Sequence, residues 1–87
     1  AYIATTLALA STGEWIVMLH NTAPRDFTGL RLLLVYADKS NTMRRQRISV
    51  SGFLGAQQRR RINSGVFANA SLSPPQVIIS QIRLAAS

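Results

Sequence analysis

The chain has 87 residues and contains no cysteine. Disulfide bonds, thiolate metal sites and thiol nucleophiles are therefore excluded. No apolar run reaches the roughly 18–20 residues that a membrane-spanning helix needs. A single domain of this size can still bury a core, because 47% of its residues are hydrophobic.

Acidic residues and histidine are also scarce. The acids are Glu14, Asp26 and Asp38, each at or near a turn, and His20 is the single histidine. Hydrolysis needs a nucleophile, a base and an orienting group, and a metal site needs three or four converging ligands. No glycine-rich nucleotide loop is present either. We therefore expect a protein that is not an enzyme and that holds no metal or cofactor, with His20 as a half-exposed strand residue.

Basic residues, by contrast, are abundant. Ten lysines and arginines against three acids give a formal net charge of +7. This balance suggests an anionic partner, and arginine suits planar, bidentate contacts with phosphate or carboxylate. A GC-rich genome would produce the same excess of arginine, so composition alone does not choose between the two causes.

The hydrophobic pattern predicts strands and no helix. Apolar residues occupy both faces of 14–21 and 29–38, which indicates central strands or strands beside another domain. The predicted strands cover residues 2–10, 14–21, 29–38, 45–51, 57–62 and 76–84. Residues 63–75 are predicted as a loop, with at most a short strand near 66–68. Six or seven short strands separated by turn signals predict one all-β domain over residues 1–87, a small antiparallel β-sandwich. Because the chain begins without Met, we expect it to be a fragment of a larger protein.

Strict alternation in the last strand divides its side chains between two faces. It places Val77, Ile79, Gln81 and Arg83 on one face. It places Ile78, Ser80, Ile82 and Leu84 on the other.

Four elements in order carry a family resemblance. An apolar strand ends in Asn21, a longer alternating strand ends in Tyr36-Ala37-Asp38, a further strand runs into Leu54, and a late apolar strand follows. The pattern resembles the FxLYD-type and related immunoglobulin-like domains of bacterial envelope proteins. The glycine of the family's first strand and its Pro-Gly after the leucine are missing here. The resemblance implies an immunoglobulin-like sandwich with an interaction role and no catalytic residues.

The segment Met43 to Ile62 carries six arginines and no acid. The candidate anion-binding or partner-binding patch consists of Arg44, Arg45, Arg47, Arg59, Arg60 and Arg61. If the segment forms a hairpin around Leu54, Arg47 faces Arg61 and Ser49 faces Arg59. Such like charges are destabilising unless an anion bridges them or the arginines fan apart into water. If its two strands belong to different sheets, the arginines form a solvated coat or guard an edge.

Aromatic residues offer a second kind of site. Trp15 and Tyr36 lie within apolar alternation and are predicted to contact the core. Phe53 and Phe67 lie in predicted connections and are candidate exposed anchors for a partner.

These patterns favour a non-catalytic structural or protein-interaction module of a bacterial envelope or surface assembly, in the periplasm or cell envelope. Its partner would be another protein or a neighbouring domain of the same chain. Two alternatives remain: a nucleic-acid-binding β-domain that uses the arginines, and a module that binds anionic lipid or polysaccharide.

Overall fold

The computed structural model describes residues 2–85, which form six β-strands and one turn of 3₁₀ helix. The elements are β1 (Ile3–Leu9), β2 (Glu14–Asn21), β3 (Phe27–Ala37), β4 (Met43–Ser49), β5 (Arg59–Phe67), the 3₁₀ turn (Ala68–Ala70) and β6 (Gln76–Leu84). Sheet A has the order β1-β2-β5 and sheet B the order β4-β3-β6, and all pairings are antiparallel. The predicted all-β sandwich is confirmed.

The two central strands supply most of the core. Val17 and Leu19 of β2 are buried in one cluster with Leu30, Leu32 and Leu34 of β3. Each buried aliphatic side chain contributes about 1.5–3 kcal/mol relative to an exposed one. The apolar character of both faces of these two strands therefore marked central strands, as predicted.

The polar strand β5 is longer than predicted. It continues to Phe67 through residues that were predicted as a loop. Its inward positions are Ile62, Ser64 and Val66, and the serine interrupts the apolar alternation although it is 1% exposed. Gly65 has a positive φ of 75°. It lies where the register with β2 shifts, between Glu14 and Ile16, and where β5 has more residues than β2. Because neither the buried serine nor the glycine is apolar, the sequence pattern did not indicate a strand here.

The alternation predicted for β6 fails in its second half. Its pairing with β3 shifts register between Arg31 and Leu32, where Ser80 is the additional residue. A bulge reverses the sense of alternation beyond it. Ile82 and Leu84 therefore lie on the same side of the strand as Ile79 and line a common depression with it. The prediction that they face away from Ile79 was wrong.

The connection over residues 50–58 closes one side of the sandwich, between β4 and β5. Val50 and Leu54 enter the core, and Leu54 exchanges two backbone hydrogen bonds with Phe27, of 2.8 and 3.0 Å. Ile48 is half-buried on the core side of β4, so the predicted common orientation of Ile48 and Val50 is confirmed. Ile62 also contacts the core, as predicted.

Asn21 fixes this connection from inside. Its side chain is fully buried, and its Nδ2 group donates to the carbonyls of Arg25, Leu54 and Gly55 at 2.7, 3.1 and 3.0 Å. Its Oδ1 accepts from the amide of Ala23 at 2.9 Å. One amide group thus satisfies backbone groups from two separate connections.

Replacing Asn21 with alanine should lower the free energy of unfolding by about 2–4 kcal/mol, because several buried backbone groups lose their partner. Urea denaturation measures the loss. Asn63→Ala is the matched control, since Asn63 is exposed on β5, and it should change stability by less than about 0.5 kcal/mol. Equal losses in the two variants would contradict the role given to Asn21.

Candidate partner-binding surfaces

The arginine-rich segment does not form a hairpin. β4 belongs to sheet B and β5 to sheet A, so the two strands are not paired. Arg47 lies opposite Leu33 of β3, and Arg61 lies opposite Met18 of β2. The hairpin alternative, with Arg47 facing Arg61 and Ser49 facing Arg59, was wrong.

Arg44 completes a turn. Its Nε donates to Asp38 Oδ2 at 2.7 Å, while the Ser40 hydroxyl and the Thr42 amide donate to Oδ1 at 2.7 and 2.9 Å. The hydrogen bond from Ser40, then those from Arg44 and Thr42, hold the pKa of the Asp38 carboxyl well below its usual range. Asp38 is thus the turn residue predicted from sequence, and Arg44 belongs to the same turn.

Arg60 is tied to the connection between β4 and β5. It occupies an inward position of β5 and is half-buried. Its two terminal nitrogens donate to the carbonyls of Ser51 and Phe53 at 2.8 and 2.5 Å. The guanidinium therefore holds the loop against sheet A, and Arg60 has a structural role.

The other four arginines divide between the two outer faces of the sandwich. Arg45 and Arg47 lie on β4 opposite Val35 and Leu33, which places them on the outer face of sheet B. Arg59 and Arg61 lie on β5 opposite His20 and Met18, on the outer face of sheet A. The six arginines of the candidate patch do not converge on one surface.

Sequence reasoning missed Arg31, which joins the outer face of sheet B. Arg31 is exposed on β3 opposite Ser49. Together with Arg47, Ser49 and Ser80 it lines a shallow depression of about 330 Å³. Its place on the outer face follows from alternation in β3, but only the register with β4 shows that it neighbours Arg47. We call Arg31, Arg45 and Arg47 the sheet B arginine face.

The chain's three acids do not neutralise these surfaces. Glu14 accepts from the Gly65 amide at 2.9 Å, and Asp26 accepts from the Ala56 amide at 2.8 Å. Asp38 forms the one ion pair found within residues 2–85, with Arg44. Most of the positive charge on both outer faces and at the sandwich edge is therefore left for solvent or for a partner.

The predicted aromatic anchors are both exposed. Phe53 lies in the connection after β4, and Phe67 is the last residue of β5. Trp15 and Tyr36 contact the core, as predicted, and His20 is half-buried on β2.

A group of exposed apolar side chains lies on the side of the sandwich between β1 and β6. Two adjoining depressions of about 400 and 390 Å³ share Tyr2, Phe27 and Leu84. We call them the open-side cleft. Its apolar lining includes Tyr2, Ile3, Phe27, Ile79, Ile82 and Leu84. Arg83 borders one depression and Arg25 the other.

The cleft has a buried floor and exposed walls. Phe27 and Ile3 are buried, and the rings of Phe27 and Tyr2 are stacked with centroids 6.2 Å apart. Tyr2, Ile82 and Leu84 are 66, 40 and 56% exposed. Covering these apolar side chains with a partner would be favourable, because it would remove their surface from water. The cleft escaped sequence reasoning because the β6 bulge directs Ile82 and Leu84 into it.

The structural role of Arg60 gives a stability test. Arg60→Ala should lower the free energy of unfolding by about 1 kcal/mol, because two carbonyls lose a charged donor at a partly exposed site. The control is Arg59→Ala, whose side chain is exposed on the neighbouring outward position and should change stability by less than about 0.5 kcal/mol. Thermal and urea unfolding of both variants measure the difference. Equal effects would show that the loop contacts of Arg60 add nothing.

In the part of the chain that the structure describes, no helix is long and apolar enough to cross a membrane. Within the same residues, no three of His, Asp and Glu gather as metal ligands would. Comparison of the chain with family models, curated proteins and solved structures gave no match. The resemblance to FxLYD-type domains therefore stays a prediction that rests on the sequence motifs.

Proposed function

We propose that the chain is a non-catalytic protein-interaction module that holds a segment of another protein in the open-side cleft. The single observation that carries this proposal is the cleft itself, where exposed Tyr2, Ile82 and Leu84 surround buried Phe27 and Ile3. Large apolar patches on soluble proteins mark interaction sites more often than isolated exposed residues do.

The shape of the sandwich supports the same function. Residues 50–58 cover the side between β4 and β5 with Leu54 and Val50, whereas Tyr2, Ile82 and Leu84 stay exposed on the side between β1 and β6. A partner segment on the open side would cover the apolar side chains there, as residues 50–58 cover those between β4 and β5. The resemblance to envelope-protein domains adds the proposal that the partner belongs to a bacterial envelope or surface assembly.

Site-specific photo-crosslinking in the cell that produces the protein tests this function. A benzophenone amino acid at the position of Leu84 should form one discrete adduct with another protein, and Ile82→Asp should reduce that adduct at least fivefold. The matched control places the same amino acid at Leu72, which is 53% exposed but lies outside the cleft. The same adducts from both positions, or none from Leu84, would contradict the proposal.

A second candidate function is binding of nucleic acid by the sheet B arginine face. The observation that favours it is the register, which brings Arg31 beside Ser49 and Arg47 on one outer face with no acid opposite them. Guanidinium groups supported by hydroxyls, here those of Ser49 and Ser80, are typical of phosphate contacts.

Salt dependence distinguishes this function. If three arginines each contact a phosphate, the logarithm of the affinity for duplex DNA should fall with the logarithm of salt concentration at a slope of about −2.7. Replacing Arg31, Arg45 and Arg47 with glutamine should abolish binding in filter assays. Replacing Arg59 and Arg61 instead, on the opposite face, should leave it within about threefold. Absence of binding to DNA and RNA near 50 mM salt would eliminate this candidate.

A further inference from the structure

The strand beside the cleft lies at the edge of its sheet. β6 is the terminal strand of sheet B, so one side of its nine-residue backbone has no strand partner among the described residues. Soluble proteins usually protect such edges with lysine, proline, inward-pointing charges or β-bulges, because a bare edge recruits further strands. β6 contains neither lysine nor proline, its one charged residue is Arg83, and its bulge at Ser80 precedes Ile82, Arg83 and Leu84, which border the cleft. Its backbone is therefore free to pair with an added strand.

The cleft lies directly against this edge. Ile79, Ile82 and Leu84 reach it from β6, while Tyr2 and Ile3 reach it from the region of β1. Side chains of a strand alternate between its two faces. A strand added to β6 would thus direct every second side chain toward the cleft, and apolar residues at those positions would cover Phe27 and Leu84.

The charges at the cleft indicate what else the added strand carries. Arg25 and Arg83 both border it, and both are exposed. Neither forms an ion pair within residues 2–85. Asp26, which directly follows Arg25, accepts a hydrogen bond from the Ala56 amide instead. Charge complementarity therefore favours a segment with acidic residues.

The same charges argue against a second copy of this chain as the occupant. Each copy carries a formal charge of +7. Pairing of two β6 strands would bring two chains of this charge into one assembly, where like charges are costly. An acidic segment of a different protein lacks this repulsion.

Building on the proposed function, we propose that β6 receives an extended acidic segment of another protein as the fourth strand of sheet B. Alternate apolar residues of the segment occupy the open-side cleft, and its acidic residues pair with Arg25 and Arg83. Backbone hydrogen bonds to the β6 edge supply affinity, and the cleft selects the alternating apolar side chains.

A synthetic peptide tests this mode of binding. The probe is a labelled nine-residue peptide with valine or isoleucine at alternate positions, threonine between them and glutamate at both ends. Fluorescence anisotropy measures its affinity for the whole chain, and NMR hydrogen exchange reports on the β6 amides. The controls are a peptide of the same composition without alternation, a lysine-ended peptide and a peptide N-methylated at alternate residues.

The glutamate-ended peptide should bind at least tenfold tighter than each control and should slow exchange of the β6 edge amides at least tenfold. Replacing both Arg25 and Arg83 with glutamine should remove its advantage over the lysine-ended peptide. Binding that Leu84→Asp abolishes but that leaves β6 exchange unchanged would overturn strand addition and leave the proposed function standing. Binding that Leu84→Asp leaves intact would contradict both. A peptide-free dimer with protected β6 amides would show that the occupant is a second copy, and would overturn the inference.

Discussion

The fold depends on one buried amide more than on any single apolar contact. A sandwich of six strands must route its chain between sheets, and each crossing brings backbone polar groups toward the core. Asn21 meets this demand at the point where β2 leaves sheet A, since it bonds to residues of its own connection and to Leu54 and Gly55. The strand pairing of Phe27 with Leu54 follows beside it. Without the amide, the side of the sandwich that residues 50–58 close would contain unpaired carbonyls.

That closure gives the sandwich two unlike sides. Leu54 and the Arg60 hydrogen bonds cover the side next to β4 and β5, whereas Tyr2 and Leu84 stay exposed beside β1 and β6. The two sides meet at Phe27, which pairs with Leu54 on one flank and with Leu84 on the other. The same ring is therefore core for the closed side and floor for the cleft. Asn21 supports this floor indirectly, through its hydrogen bond to Ala23, which also lines the cleft.

The sequence predicts the fold well where burial follows a simple period. β2 and β6 have their predicted bounds, because apolar residues and turn residues define both ends. The β5 error has a local cause, since a buried Ser64 and a Gly65 with positive φ carry no apolar signal. The cleft could not be predicted, because a one-residue bulge beside Ser80 changes the face of Ile82 and Leu84. The arginine surfaces required the register between strands, which periodicity within one strand does not contain.

The division of the arginines changes what the positive charge can do. Arg44 and Arg60 hold a turn and a loop, and the outward pairs on β4 and β5 lie on opposite faces. One flat polyanion can contact one of these faces but not both at once, so the charge does not form a single binding surface. The net charge of +7 has a second consequence, because it repels another copy of the chain while it attracts acidic segments over a Debye length of about 8–10 Å. Charge therefore disfavours self-association at the cleft, and in the proposed complex it would add to the selection that alternating apolar side chains provide.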